Sequence, residues 1–303
     1  MILNYRSIAD MSSAILKNLH KFPHDIDLIV GIPRSGMLPS NMLSLYLNKP
    51  YTDIDSFLEG RVLSCGDRGE FVQSNGSKKI LVVDDSIHAG GALKRAKEKL
   101  SVVSTKYNII YAVVYATTAM KDIIDIFCEI IDDGRVFQWN LFHHKTYIPA
   151  SCFDIDGVLC PNPPVDDDGP LYLNYISNAP TLYVPSVRIG TLVSCRLEKY
   201  RSATEAWLQK SGVVYDELIM LDLPDKAARQ KWGKHGEYKG EIYKKKESLL
   251  FVESSLEEAR IIQQISHKPV FCIETFSMLN GESFLDASKS VLKKAIRGFA
   301  NRL

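Results

Sequence analysis

The chain has 303 residues, which is long enough for two domains of ordinary size. Its composition is typical of a globular protein, and a net charge of +1 favours no nucleic-acid partner. No apolar run approaches the roughly 20 residues that span a bilayer. The six cysteines are scattered and never spaced as Cys-x-x-Cys, which indicates free thiols in a reducing cytoplasm. The first residues lack a basic region followed by an apolar core, so no signal peptide is expected.

A turn in the first half has the features of an anion site. Residues 27–31 predict a short buried strand that runs into Arg34, Ser35 and Gly36, and a helix pattern follows to Leu47. A basic residue in a Ser-Gly turn before a helix N-terminus attracts anions, because the free N–H groups of the helix point toward it. An ordinary glycine turn with a surface arginine is the alternative.

The central stretch combines carboxylates with a glycine loop. Four apolar residues at 80–83 precede Asp84 and Asp85, and a loop with Gly90 and Gly91 leads into a helix pattern. The apolar run predicts a buried parallel strand. Glycines let the backbone approach a phosphate, and carboxylates hold hydroxyls or a hard cation. This combination suits a sugar phosphate, although a generic strand end of a doubly wound domain is the alternative.

Together the two turns resemble the pyrophosphate loop and the phosphoribosyl-pyrophosphate (PRPP) motif of type I phosphoribosyltransferases. The resemblance implies transfer from PRPP, with Asp84 and Asp85 as catalytic residues of the donor site. The implied PRPP-binding residues are Arg34, Ser35, Gly36, Asp84, Asp85, Ser86, His88, Ala89, Gly90, Gly91 and Ala92. His88 departs from the family pattern, and Ala89 and Ala92 stand where Thr or Ser is common. Backbone N–H groups then do more of the phosphate binding.

An aromatic segment at 136–144 ends the first predicted domain. In the family that the loops resemble, such segments form a hood over the acceptor. Trp139 is then either a stacking face for the acceptor or a core aromatic residue.

The second half carries a different acidic motif. An apolar strand pattern at 151–153 leads into Asp154 and Asp156, with Gly157 next. Two carboxylates at one strand end suit phosphoryl transfer, because one attacks phosphorus while the other shuttles a proton. The motif resembles motif I of the haloacid dehalogenase (HAD) superfamily. The resemblance implies Asp154 as the nucleophile and Asp156 as the general acid and base.

Later residues match the remaining motifs of that superfamily. Ser194 ends a strand pattern and is implied to bind the substrate phosphate. Lys239 and Lys244 are the candidates for the phosphate-binding lysine, and Lys239 is preferred because it lies near a predicted helix start. Glu253 ends another strand pattern alone, where most relatives have two acidic residues. The implied Mg²⁺ ligands are Asp154, Asp156 and Glu253.

The predicted fold class is α/β with two doubly wound parallel-sheet domains. Residues 1–148 are assigned to a phosphoribosyltransferase domain, 149–278 to a HAD-like phosphatase domain with a small cap, and 279–303 to a helical tail. The tail pattern is basic and amphipathic. Such a helix lies on an acidic membrane surface, contacts a glycosyltransferase complex or packs against its own domain.

The two resemblances imply a bifunctional, Mg²⁺-dependent enzyme similar to bacterial fusions that build ribofuranose into polysaccharides. The first domain is expected to transfer 5-phosphoribosyl from PRPP to a glycan hydroxyl, and the second to remove the 5-phosphate. The expected location is the cytoplasm, including the periphery of the inner membrane. The alternatives are a nucleobase-salvage transferase with an attached metabolite phosphatase, and a non-catalytic PRPP sensor, which His88 and the lone Glu253 favour. The sequence leaves the oligomeric state open.

Overall fold

The computed structural model describes residues 2–63, 78–164 and 168–280. The chain forms two compact units. The N-terminal unit contains residues 6–139, and the C-terminal unit contains the residues up to 5 and those from 140 onward. The predicted tail helix lies outside the described residues, apart from 279 and 280.

Strands and α-helices alternate along much of the chain, as is typical of an α/β fold. The strands are β1 (Asn4–Arg6), β2 (Leu28–Gly31), β3 (Tyr51–Asp53), β4 (Lys78–Ser86), β5 (Tyr107–Ala116), β6 (Ile126–Ile130), β7 (Arg135–Phe137), β8 (Ser151–Phe153), β9 (Ile189–Leu197), β10 (Tyr215–Leu221), β11 (Leu250–Glu253), β12 (Val270–Cys272) and β13 (Ser277–Leu279). The α-helices are α1 (Ile8–Lys17), α2 (Met37–Leu47), α3 (Ile54–Leu58), α4 (Gly91–Leu100), α5 (Pro170–Asn178), α6 (Arg201–Lys210), α7 (Lys226–Trp232), α8 (His235–Lys245) and α9 (Leu256–Ser266).

The N-terminal unit is built on a five-stranded parallel sheet in the order β3-β2-β4-β5-β6. Its central strand β4 is apolar at consecutive positions because both of its faces are covered. Leu81 and Val83 pack into one hydrophobic cluster, and Ile80 and Val82 pack into another. The parallel α/β architecture predicted for this half is confirmed.

Strand pairing positions the two predicted turns. In the parallel pairing of β2 with β4, Gly31 lies opposite Val83. The chain leaves both strands at the same edge of the sheet, since the strands run in the same direction. The turn after β2 and the loop after β4 are therefore neighbours.

The C-terminal unit has a six-stranded sheet in the order β10-β9-β8-β11-β12-β13. All neighbouring strands are parallel except β12 and β13. The register sets Phe153 opposite Val252, so the residues that follow β8 lie beside the end of β11. Between β8 and β9, the described residues form one α-helix, the nine-residue α5.

Strand β9 is longer than the sequence pattern indicates. It runs from Ile189 to Leu197, so Ser194 lies inside the strand rather than at its end.

Across the parts of the chain that the structure describes, no helix is both long and apolar enough to cross a membrane.

Candidate functional site

The turn after β2 is packed directly against β4. A Cβ atom added to Gly36 would lie 2.5 Å from the carbonyl oxygen of Ile32, 2.7 Å from that of Val83 and 3.0 Å from the Cα atom of Asp84. Such contacts exclude any side chain, so glycine permits the close approach of the two segments. The predicted pyrophosphate turn and the acid pair are therefore brought together.

Asp85 is held by two donors of the N-terminal unit. The Ser35 hydroxyl donates to its Oδ1 atom at 3.0 Å, and the Trp139 indole N–H donates to Oδ2 at 2.7 Å. Asp85 is only 5% exposed. Sequence reasoning did not find the Trp139 contact, since 54 residues separate the two partners.

Asp84 has a different environment from its neighbour. Its Oδ1 atom accepts the backbone N–H of Asp85 at 2.8 Å. Burial and the adjacent Asp85 carboxylate raise the pKa of Asp84 to about 8. Burial disfavours the charged form of Asp84, and Asp85 repels a second negative charge. A hydroxyl-rich or cationic ligand would lower the free-energy cost of ionising Asp84.

The loop after β4 encloses a cavity of about 200 Å³, here called the donor cavity. It is lined by Asp84 and by the predicted residues Ser86, His88, Ala89, Gly90, Gly91 and Ala92, together with Ile32, Ile87, Leu93, Ala112 and Val113. Gly90 has φ +74°, a conformation that favours glycine, and no side chain caps α4. The first N–H groups of a helix have no partner within it, so α4 offers them to an anion.

The sequence predicts one arginine at this site, and the structure adds a second. Arg34 is exposed in the turn before α2. Arg135, which sequence reasoning missed, donates through Nη1 to the Ile87 carbonyl at 3.0 Å and holds the loop after β4 in place. No local signal marks Arg135, because its partner lies 48 residues earlier in the chain.

In the C-terminal unit, one buried lysine joins three carboxylates. Lys239 Nζ donates to Asp154 at 2.7 Å, to Glu253 at 2.8 Å and to Glu258 at 2.7 Å. These four residues are called the Lys239 cluster. Sequence reasoning missed Glu258, which lies in the first turn of α9. No local pattern pairs it with Lys239, which lies 19 residues earlier in the chain.

Burial and the neighbouring charges together set the protonation of the Lys239 cluster. Burial raises the pKa of Asp154 well above its usual value, although Lys239 opposes this shift. Burial also lowers the pKa of Lys239, but Asp154 and Glu253 outweigh it, so that the pKa is raised well above normal. For Glu258 burial is overcome by His235 and Lys239, which bring the pKa to about 2. The lysine is therefore charged and holds the carboxylates together.

Asp156 is engaged by a residue that the sequence did not single out. Arg196 donates from Nε to Oδ2 at 2.9 Å and from Nη2 to Oδ1 at 2.7 Å. The Arg196 side chain is fully buried. Burial lowers its pKa, and the charge of Asp156 more than compensates, leaving the pKa above its usual value. The carboxylate predicted to shuttle protons thus forms a bidentate ion pair.

A cavity of about 240 Å³ lies beside both groups. Its lining includes Asp154, Asp156, Arg196, Arg229, His235 and Lys239. Ser194 is 1% exposed, and its hydroxyl accepts the backbone N–H of Arg196 at 3.1 Å. Lys244 is exposed on α8. Of the two candidate lysines, the structure therefore brings Lys239 to the cavity.

The predicted magnesium ligands do not form one open set. Both oxygens of Asp156 accept hydrogen bonds from Arg196, whereas Asp154 and Glu253 share Lys239. The second oxygen of Glu253 accepts the backbone N–H groups of residues 254 and 255. Within the described ranges, no group of three or more His, Cys, Asp or Glu side chains is arranged to hold a metal ion. The side chains as placed therefore do not fit the ion, and the Asp156 carboxylate is committed to a different partner.

Comparison with known families bears on the N-terminal half. Residues 1–149 match the family model described as "Phosphoribosyl transferase domain". This part of the chain is therefore similar to phosphoribosyl transferase domains.

Solved structures similar to the chain have low identity. A purine phosphoribosyltransferase from Pyrococcus horikoshii is 21% identical, with a TM-score of 0.35, and the match covers 46% of this chain and 94% of that one. A xanthine-guanine-hypoxanthine phosphoribosyltransferase from Helicobacter pylori is 18% identical, with a TM-score of 0.33, covering 46% and 92%. No curated protein sequence matches the chain.

Proposed function

We propose that the N-terminal unit transfers 5-phosphoribosyl from PRPP, bound with Mg²⁺ as its counter-ion, to an acceptor and releases pyrophosphate. The observation that carries this proposal is the close contact between the turn at 34–36 and the acid pair Asp84 and Asp85. Gly36 lies against β4, and Ser35 bonds to Asp85 beside the donor cavity. A pyrophosphate leaving group and a phosphoribosyl group require such adjacent anion and diol sites.

The chemistry follows from the placement of charge. The C1–O bond breaks with its electron pair on the pyrophosphate oxygen, and an acceptor oxygen forms the new bond to C1 and loses its proton to the departing pyrophosphate. Backbone N–H groups and Arg34 in the exposed turn would stabilise the charge that develops on pyrophosphate. The N-terminus of α4 would bind the 5-phosphate, and Asp84 would hold the ribose hydroxyls.

We propose that the C-terminal unit is a HAD-like phosphatase that removes the 5-phosphate. Asp154 would attack phosphorus as the P–O bond to the sugar breaks and the leaving sugar oxygen takes a proton from solvent. Water would then hydrolyse the aspartyl phosphate, which restores the Asp154 carboxylate and releases inorganic phosphate. The support is the buried Lys239 cluster, in which a charged lysine at 2.7 Å offsets part of the cost of an ionised Asp154. Removal of phosphate would make the preceding transfer effectively irreversible.

The proposed acceptor is a glycan hydroxyl in the synthesis of a ribofuranose-containing polysaccharide. A phosphatase on the same chain favours this acceptor over a nucleobase, because a salvage reaction must keep the 5-phosphate of its nucleotide product. A peripheral membrane position would bring the enzyme to a lipid-linked glycan.

The decisive experiment incubates the full chain with PRPP and Mg²⁺ against nucleobases and oligosaccharide or lipid-linked glycan acceptors. Pyrophosphate and phosphate release are measured separately. We expect glycan-dependent pyrophosphate release that is lost in Asp84→Asn, and phosphate release that is lost in Asp154→Asn. Asp216→Asn, whose side chain is 51% exposed, is the control.

Each other outcome has a distinct meaning. Pyrophosphate release that depends on a nucleobase would replace the glycan with a salvage reaction. Tight PRPP binding without turnover under any acceptor would favour a sensor. Loss of both activities in each single variant would contradict two separate sites.

A further inference from the structure

The indole of Trp139 and the hydroxyl of Ser35 hold Asp85 from two segments of the N-terminal unit. The two oxygens of the carboxylate accept one hydrogen bond each, at 2.7 Å from Trp139 and at 3.0 Å from Ser35. A buried carboxylate with two donors is fixed in orientation, since rotation would break both bonds. Asp85 thus connects the pyrophosphate turn to the chain segment after β7.

Trp139 is itself held in one orientation by aromatic stacking. Its ring lies on Phe137 with centroids 4.7 Å apart and planes 4° from parallel. Phe137 in turn stacks on Tyr115 of β5 at 5.3 Å and 22°. The indole cannot turn its N–H away from Asp85 without disturbing this stack. The donor is therefore preorganised.

The two acidic residues consequently differ in availability. Asp84 lines the donor cavity, whereas both oxygens of Asp85 accept hydrogen bonds from the protein. The carboxylate best placed for the ribose hydroxyls is Asp84. Asp85 is best placed to hold the turn at 34–36 in position through Ser35.

We infer that Trp139 is a positioning residue of the donor site, which acts through Asp85 on the turn that would receive pyrophosphate. This inference rests on the proposed function of the N-terminal unit. It assigns Trp139 to donor binding rather than to stacking on the acceptor. The fluorescence of the indole should therefore respond when a ligand binds to that turn.

The first test compares two tryptophan-to-phenylalanine variants. Trp139→Phe keeps an aromatic ring on Phe137 and removes the N–H donor. We expect about a tenfold rise in the KM or Kd for PRPP, the scale of a lost hydrogen bond to a charged group, with an unchanged KM for the acceptor. Trp207→Phe is the matched control, because it also loses a buried indole bond, to the Ala179 carbonyl at 2.8 Å, but in the other unit. Its PRPP affinity should equal that of the wild type.

The second test is a double-mutant cycle between Trp139→Phe and Asp85→Asn, with PRPP binding measured by calorimetry. If Trp139 acts through Asp85, the loss caused by Trp139→Phe should largely disappear in the Asp85→Asn background. Circular dichroism and thermal unfolding establish that each variant is folded. A Ser35→Ala variant should likewise couple to Asp85→Asn.

Intrinsic fluorescence supplies a readout that does not need turnover. PRPP should change the tryptophan emission of the wild type, and this change should be absent in Trp139→Phe but retained in Trp207→Phe. An additive cycle, or a raised KM for the acceptor alone, would overturn the inference while leaving the transferase intact. Failure of the wild-type chain to bind PRPP would overturn the proposed function and the inference together.

Discussion

Arg196 and Asp156 form a bidentate ion pair in the C-terminal unit, with donor–acceptor distances of 2.9 and 2.7 Å. Two further donors of Arg196 are also used. Nη1 lies 3.4 Å from the Thr204 hydroxyl, and Nη2 lies 3.2 Å from the Cys160 sulfur. The pair is therefore a fixed part of the interior beside the second cavity.

Breaking this pair should be costly. Arg196→Met leaves Asp156 without its partner and should lower the free energy of unfolding by about 3–5 kcal/mol. The double variant Arg196→Met/Asp156→Leu should recover most of that loss, because no unpaired charge remains. Urea unfolding at pH 7 measures both. The exposed pair Arg188–Asp216 is the control, and Arg188→Met should cost about 0–1 kcal/mol. A double variant no more stable than Arg196→Met would contradict this account.

Lys239→Met should destabilise the chain in a manner that depends on pH. At pH 7.5 three carboxylates lose their shared cation, and we expect a loss of about 3–5 kcal/mol. The loss should shrink toward pH 5, because protonation relieves the carboxylates in the variant. Denaturant unfolding at the two pH values measures the difference. Lys244→Met, on the exposed side of the same helix, should stay within about 0.5 kcal/mol of the wild type at both. A loss independent of pH would argue against electrostatics as its cause.

The raised pKa of Asp84, at about 8, predicts the pH dependence of stability in the N-terminal unit. Between the usual value of 3.8 and about 8, the folded state binds a proton that the unfolded state lacks. The free energy of unfolding should therefore fall as pH rises through this window, by at most about 1.4 kcal/mol for each pH unit. Asp84→Asn should be more stable than the wild type at pH 8 and equal to it near pH 4. If the difference in the free energy of unfolding between the two proteins is the same at both pH values, Asp84 does not have a raised pKa in the folded state.

Alanine substitutions at two glycines should distinguish the stability loss from backbone strain from the loss due to steric overlap. Gly157 and Gly212 have similar φ angles of +76° and +71°. A Cβ atom on Gly157 would lie 2.4 Å from the Cβ atom of Ser254, whereas one on Gly212 would have no neighbour within 4 Å. Gly212→Ala should cost about 1–2 kcal/mol from strain alone. Gly157→Ala should cost a further ~1–3 kcal/mol from overlap. Equal losses in thermal unfolding would show that Ser254 moves away freely.

Sequence reasoning succeeded where the chemistry is contiguous. The apolar run of β4, the acid pair and the paired glycines are adjacent in the chain, and backbone geometry alone brings them to one strand-to-helix turn. The short apolar strand β2, followed by a helix, was also predicted, whereas its pairing with β4 is seen only in the structure. The donor cavity could thus be located from the sequence.

It was less successful where partners are distant in sequence. Arg196 lies 40 residues from Asp156, and Glu258 reaches Lys239 from another helix. The sequence pattern predicts Ser194 at a strand end, but β9 continues for three residues beyond it. Pattern alone indicates which residues are polar and does not indicate which donor each buried carboxylate will meet.

The sequence by itself determined the parallel α/β class of the N-terminal half, the position of its two predicted anion-binding turns and the acidic strand end at Asp154. These properties depend on local periodicity and on residues that are close along the chain. Only the tertiary structure decided that Trp139 orients Asp85, that Arg196 occupies Asp156, and that Lys239 rather than Lys244 enters the acid cluster. Those choices depend on how separate elements pack, because a buried charge must find its partner in space rather than in sequence.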